Sequence, residues 1–188
     1  MDPGYLRAEQ FGPEHRSRIT LLICDMVGID AETWLSAKTQ TIRILSDAGV
    51  DVAWTDADGR SRLCTTGAIG SYFTVVILAR PPTKRISKGA LGAAVVRTGP
   101  YPRAYVFYDQ TRIFVGSFEL ENQKTSVGVI LGHAIAHELG HLLIPGDAHG
   151  KGIMREQWTS ADWRDAVRGH LLFHRDHARQ IHEALRPK

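Results

Sequence analysis

The stretch "VGVILGHAIAHELGHLLIPG", Val127 to Gly146, limits what this 188-residue chain can fold into more than any other segment. Apolar residues cover much of its circumference, so it predicts a buried helix rather than a surface one. Thr125 or Ser126 can cap its start, and Pro145-Gly146 stops it. Yet the same helix carries His133, His137, Glu138 and His141. Burying such groups without partners costs several kcal/mol, so the rest of the fold has to bring something to them.

The segments around it read as an α/β domain. Ile19 to Met26 is short, apolar and partly β-branched, a buried strand. Asp30 is placed to cap a helix over "AETWLSAKTQTIRILSDAG", with Leu35, Thr39, Ile42 and Leu45 at helical spacing and Gly49 at its end. "VDVAW" (50–54) is a second strand and "DADGRS" a turn. "YFTVVILA" (72–79) is apolar throughout and therefore central in its sheet. The segment from Arg80 to Pro102 is rich in Gly, Pro and Lys and reads as a long surface loop. "RAYVFYD" (103–109) follows as an aromatic strand, at an edge because a long loop precedes it. Ser160 caps a helix over "ADWRDAVRG", and "HRDHARQIHEALR" makes the last helix. This order predicts a mixed, mostly parallel twisted sheet with an antiparallel edge strand, a buried helix and a small helical C-terminal lobe.

Composition narrows the function. A net charge of +3 with no Lys/Arg run longer than two gives no footprint for nucleic acid. The apolar run "ITLLICDMVGI" is too short to span a membrane and is interrupted by Asp25. The chain is expected to be soluble; secretion after removal of a signal peptide is compatible with it. Two cysteines, Cys24 and Cys64, are no disulfide framework. They either pair once or stay free and buried.

The chemistry gathers between His133 and Met154. His137 and His141 are four apart, so a helix presents both imidazoles on one face, one turn apart, within reach of one metal ion. Glu138 is rotated away by one residue. It is poorly placed as a further ligand but well placed to reach a water on the metal, as a general base must. With nine His in the chain, random order would produce roughly 0.02 His-Glu-x-x-His motifs, so chance is a poor account. Imidazole ligands and an open fourth position suit one Zn2+ per chain. Asp147 and His149 are the two candidates for the third ligand. His133 reads as a packed or hydrogen-bonded histidine, because three successive helical His close a tetrahedron badly. His170, His174, His177 and His182 read as residues of a solvated or partly packed helix.

The stretch resembles the metzincins, zinc peptidases with HExxHxxGxxH and a downstream Met-turn. The matching residues are His137, Glu138, His141, Gly146, His149 and Met154, the last within "GIM". The resemblance covers about twenty residues, from His133 to Arg155. The family's Gly stands three residues after the second His, where this chain has Ile144. Counting from Gly146, the Gly-x-x-His turn ends on His149; counting from His141, the family's spacing ends on Asp147. Pro145 disfavours helical geometry at Ile144, and Gly146 tolerates a positive φ. The turn is therefore expected two residues downstream, with His149 as the ligand and Asp147 in a supporting role. The resemblance further implies a single domain over residues 1–188. Residues 1–144 would form an N-terminal lobe with the sheet and active-site helix. Residues 145–188 would form a C-terminal lobe with the third ligand, the Met-turn and the helices. It implies hydrolysis of a peptide or protein substrate with Glu138 as base. Met154 would be an apolar floor, and the substrate would lie along the edge strand Ala104, Tyr105, Val106, Phe107 and Tyr108. A zinc-binding module without proteolysis and a zinc hydrolase of a non-peptide amide are the alternatives.

Overall fold

In the computed structural model the described residues are 16–58, 64, 72–87, 89–95, 103–118, 123–146 and 148–186. They form strands β1 (Ser17–Asp25), β2 (Val50–Asp58), β3 (Tyr72–Leu78), β4 (Gly92–Val95) and β5 (Arg103–Phe107). The helices are α1 (Ala31–Asp47), α2 (Tyr108–Gly116), α3 (Gln123–Leu143), α4 (Ser160–Val167) and α5 (Arg175–Ala184). The strands make one sheet in the order β2-β1-β3-β5-β4, parallel except for β4, which runs antiparallel to β5. No helix among the described residues is long and apolar enough to cross a membrane.

β1 shows why the sheet has two unlike faces. Ile19, Leu21 and Ile23 join the main core together with α1 and α3, while Leu22 and Cys24 point the other way. That second face carries a small cluster with Val76 and Cys64, and Cys24 is bonded to Cys64 as a disulfide. Of the two expected states of the cysteines, the paired one is found. A cross-link over 40 residues restricts the unfolded chain enough to contribute about 4 kcal/mol.

α1 begins as expected, with the Asp30 carboxylate accepting the Thr33 N–H at 3.1 Å. Its buried face is only partly the one that apolarity marks out. Leu45 is buried, but Leu35 is 65% exposed and Thr39 is exposed, whereas Thr33, Ala37, Thr41 and Ile44 are buried. The reason is close packing on α3. A side chain at Gly132 would come within 2.6 Å of the Ala37 carbonyl oxygen, and the Thr41 hydroxyl donates to the Gly132 carbonyl at 3.1 Å. Small residues, not large apolar ones, let the two helices approach.

The edge of the sheet differs from expectation. β5 lies between β3 and β4, so Ala104, Tyr105, Val106 and Phe107 are in an interior strand, and Tyr108 already begins α2. The edge is β4, inside the segment read as a loop. Gly-Ala-Ala-Val has poor strand propensity. Its register is set by backbone pairing, Gly92 to Val106 through Val95 to Arg103. α2 was also not foreseen, since it starts directly from β5 with no side-chain cap. β2 runs on to Asp58 through the start of the expected turn, and α3 begins at Gln123, upstream of its expected caps.

Breaking the cross-link gives a direct test of this second face. Cys64→Ser, or reduction of the wild-type chain, is expected to lower unfolding stability by about 2–4 kcal/mol in urea titrations. Unchanged midpoints would show that the bond does not fasten the sheet's outer cover.

Candidate metal centre

α3 places Ala134, His137, Glu138 and His141 beside the cleft. His137 and His141 turn their Nε2 atoms toward each other at 3.1 Å. Two Zn–N-type bonds at a tetrahedral angle put their nitrogens about 3.3 Å apart, so this separation fits one shared ion. His149 completes the set: its ring lies 4.7 Å from that of His141 and 5.9 Å from that of His137, centre to centre. The three residues can offer ligand atoms that all fall within 4.8 Å of one another. Among the described residues this is the one cluster of that kind.

The donor chemistry agrees with the geometry. The His137 Nδ1 lies 2.7 Å from the Ile153 carbonyl oxygen. Nδ1–H must be the donor there, which leaves the lone pair on Nε2, facing His141. Burial above all, then the neighbouring His141 and His149, pushes the His137 pKa down to about 4, against the raising effect of the Ile153 carbonyl. The imidazole is thus neutral near pH 7, the form that ligates metals.

Glu138 sits in the helix without a partner for its buried charge. It is 5% exposed, and its Oε2 is buried with no hydrogen-bond partner. Burial pushes its carboxyl up to about 8. A cation beside it would reverse that cost. An orphaned carboxylate next to three convergent imidazoles is what a site for a metal ion and its water looks like from the protein side. Room for Glu138 depends on Gly92 of β4, where a side chain would lie 2.5 Å from Oε1 and 2.6 Å from the Tyr105 carbonyl oxygen.

The chain after α3 delivers the third histidine and the floor. The Ile144 N–H still bonds to the Gly140 carbonyl at 2.8 Å, and Gly146 then turns the chain at φ 81°. The turn is where the sequence places it, and His149 joins the cluster. Asp147 lies outside the described residues. Beyond His149, the Gly150 N–H bonds to the Met154 carbonyl at 2.8 Å and the Ile153 N–H to the Leu172 carbonyl at 2.9 Å. Met154 is fully buried under Gly140, where any side chain would strike its thioether.

A cleft of about 570 Å³ opens over these groups. Ser87, Gly89 to Ala94, Phe114 and Arg155 to Trp158 line it. Ala104 to Tyr108 do not line it. His133 is fully buried, bonds through Nδ1 to the Val129 carbonyl at 2.7 Å, and stands outside the cluster. His174 caps α5, and His177 packs on Gly150. Sequence reasoning missed Gly92, Trp158 and the Ile153 carbonyl. Only Trp158 carries a side-chain signal, four residues after Met154. No model of a known protein family matches the chain, and a search of curated proteins finds no match either.

Two outcomes are expected. His149→Ala should weaken binding of a divalent ion by at least about 100-fold in chelator competition, while His170→Ala should leave it unchanged. Equal losses would remove His149 from the cluster. In the metal-free chain, His133 and His137 titrate at about 4 when folded and near their ordinary 6.5 when unfolded. The unfolded state then binds more protons between these values, so stability falls as pH drops through that window. Glu138, raised to about 8 from 4.5, opposes this in the same window but offsets only one of the two. Urea midpoints from pH 6.5 down to 4 that stay flat or rise would contradict the burial of these histidines.

Proposed function

We propose that this protein is a zinc-dependent peptidase of the metzincin type. The observation that carries the reading is Glu138: an intact carboxylate, buried and unpartnered, beside three convergent imidazoles. A purely structural metal site has no use for it and would take a fourth protein ligand. Three imidazole ligands favour zinc over calcium or magnesium.

Zinc supplies a Lewis acid that lowers the pKa of water and polarises a carbonyl. The protein does the rest. His137, His141 and His149 would hold the ion, with His137 oriented by the Ile153 carbonyl. Glu138 would take the proton of the attacking water and deliver it to the departing amide nitrogen. Low exposure raises the proton affinity of that carboxylate, and a cation beside it would bring it to the ionised form that a base needs.

The peptide would lie along β4. Its inner edge is paired with β5, and among the described residues its outer edge ends the sheet, the place where an added strand would pair. Gly92, Ala93 and Ala94 line the cleft, and such small side chains let another backbone approach. Substrate binding is therefore assigned to Gly92–Val95 in place of Ala104 to Tyr108.

The test is cleavage of a random peptide library by zinc-loaded protein, with and without chelator. Chelator-sensitive cleavage is expected, and Glu138→Gln should keep zinc while the rate falls by about 10² or more. A zinc-loaded wild type that cleaves nothing, or a Glu138→Gln variant as active as wild type, would end the peptidase reading.

A further inference from the structure

The Ile153 carbonyl that orients His137 has a second donor. The Trp158 indole Nε1–H reaches the same oxygen at 3.1 Å, beside the His137 Nδ1 at 2.7 Å. A carbonyl oxygen has two lone pairs, so the two donors need not exclude each other. The indole also stands edge-on to the His137 ring, 5.8 Å between centres at 84°, and edge-on to Phe114 at 6.4 Å and 68°. Trp158 lines the cleft and follows directly from the buried Met154 turn.

The geometry points to Trp158 as a positioning residue for the metal-binding His137. Its N–H fixes the direction of the Ile153 carbonyl, and that carbonyl in turn fixes the tautomer and rotation of the imidazole. The Ile153 N–H, bonded to the Leu172 carbonyl at 2.9 Å, anchors the other side of the residue. A cation on Nε2 makes the Nδ1–H a stronger donor, so the carbonyl matters most when the site is loaded. This rests on the metal-binding part of the proposed function and not on peptide hydrolysis.

The readout is zinc affinity by chelator competition, with the cobalt(II) absorption spectrum and the melting temperature of the metal-free chain alongside. Trp158→Phe removes the N–H and keeps an aromatic ring. It is expected to weaken zinc about tenfold, the low end for a residue acting through a ligand's partner, and to shift the cobalt bands. Phe114→Leu removes a ring neighbour of Trp158 and keeps the N–H. It is expected to lower the melting temperature while holding zinc affinity within about twofold. Wild-type zinc affinity in Trp158→Phe, or an equal loss in Phe114→Leu, would overturn the assignment, since packing alone would then explain Trp158. Should Trp158→Phe not fold, the wild-type chain decides. Its Trp158 indole proton should exchange slowly with solvent and its resonance should move on zinc addition. A freely exchanging or unmoved indole proton would overturn the assignment. A wild-type chain that binds no zinc at all would remove the metal centre itself, and this assignment with it.

Discussion

Everything near the site follows from putting His137 and Glu138 on a helix that has almost no solvent-facing side. From Ser126 to Ala136 every residue of α3 is buried. Desolvation is the main cause that drives His137 down and the one that drives Glu138 up, so both would be neutral near pH 7 without further help. A protein that wanted only a stable helix would place leucines there. Each neighbouring segment can be understood as answering this one cost: Ile153 accepts the Nδ1–H, His149 approaches the Nε2 atoms, and β4 leaves Glu138 the space of a missing side chain.

Those answers come from opposite sides of α3. β4 closes over Glu138 from the sheet, and the turn around Met154 closes under Gly140 from the C-terminal segment. At both contacts a glycine is required because the opposing atoms already sit where a Cβ would be. The Met154 turn is fastened in its own right. The Asp162 carboxylate accepts the Thr159 N–H at 2.8 Å and hydroxyl at 2.7 Å, and pairs with the Arg155 Nε at 3.2 Å. The start of α4 therefore restrains the same short segment that carries Trp158. The Met154 turn, the Ile153 carbonyl and Trp158 are thus tied to the start of α4 through Thr159, Asp162 and Arg155.

Much of this was legible in the sequence, and what was not has a physical cause. α1, the central β3 and the buried α3 are visible because long periodic or unbroken apolar runs decide them. α1 was visible as a helix but only partly in phase: Leu45 is buried as its spacing implies, while the contact with α3 is made by Ala37 and Thr41 against glycine where an apolarity scan favours Leu35. β4 was invisible because Gly-Ala-Ala-Val says nothing local; its strand exists only through hydrogen bonds to β5. Reading β5 as the edge followed from missing β4. The site's histidines were legible because metal binding is a property of side-chain type and spacing. The Ile153 carbonyl was not, since a backbone acceptor leaves no mark in a sequence.

The third histidine shows how spacing and geometry part company. A count of six residues from His141 ends on Asp147, and a count of three from Gly146 ends on His149. What a ligand needs is a fixed position relative to where the helix ends, not a fixed number of residues after its partner. α3 holds its hydrogen bonding through Ile144, so the chain cannot leave the helix axis earlier, and Pro145 forbids it to continue. The positive φ at Gly146 then sets the direction of departure. Beyond it the buried Ala148 leads into His149, whose ring stands 4.7 Å from that of His141. The end of the helix and the turn at Gly146, not a count from His141, therefore decide which residue comes back to His137 and His141.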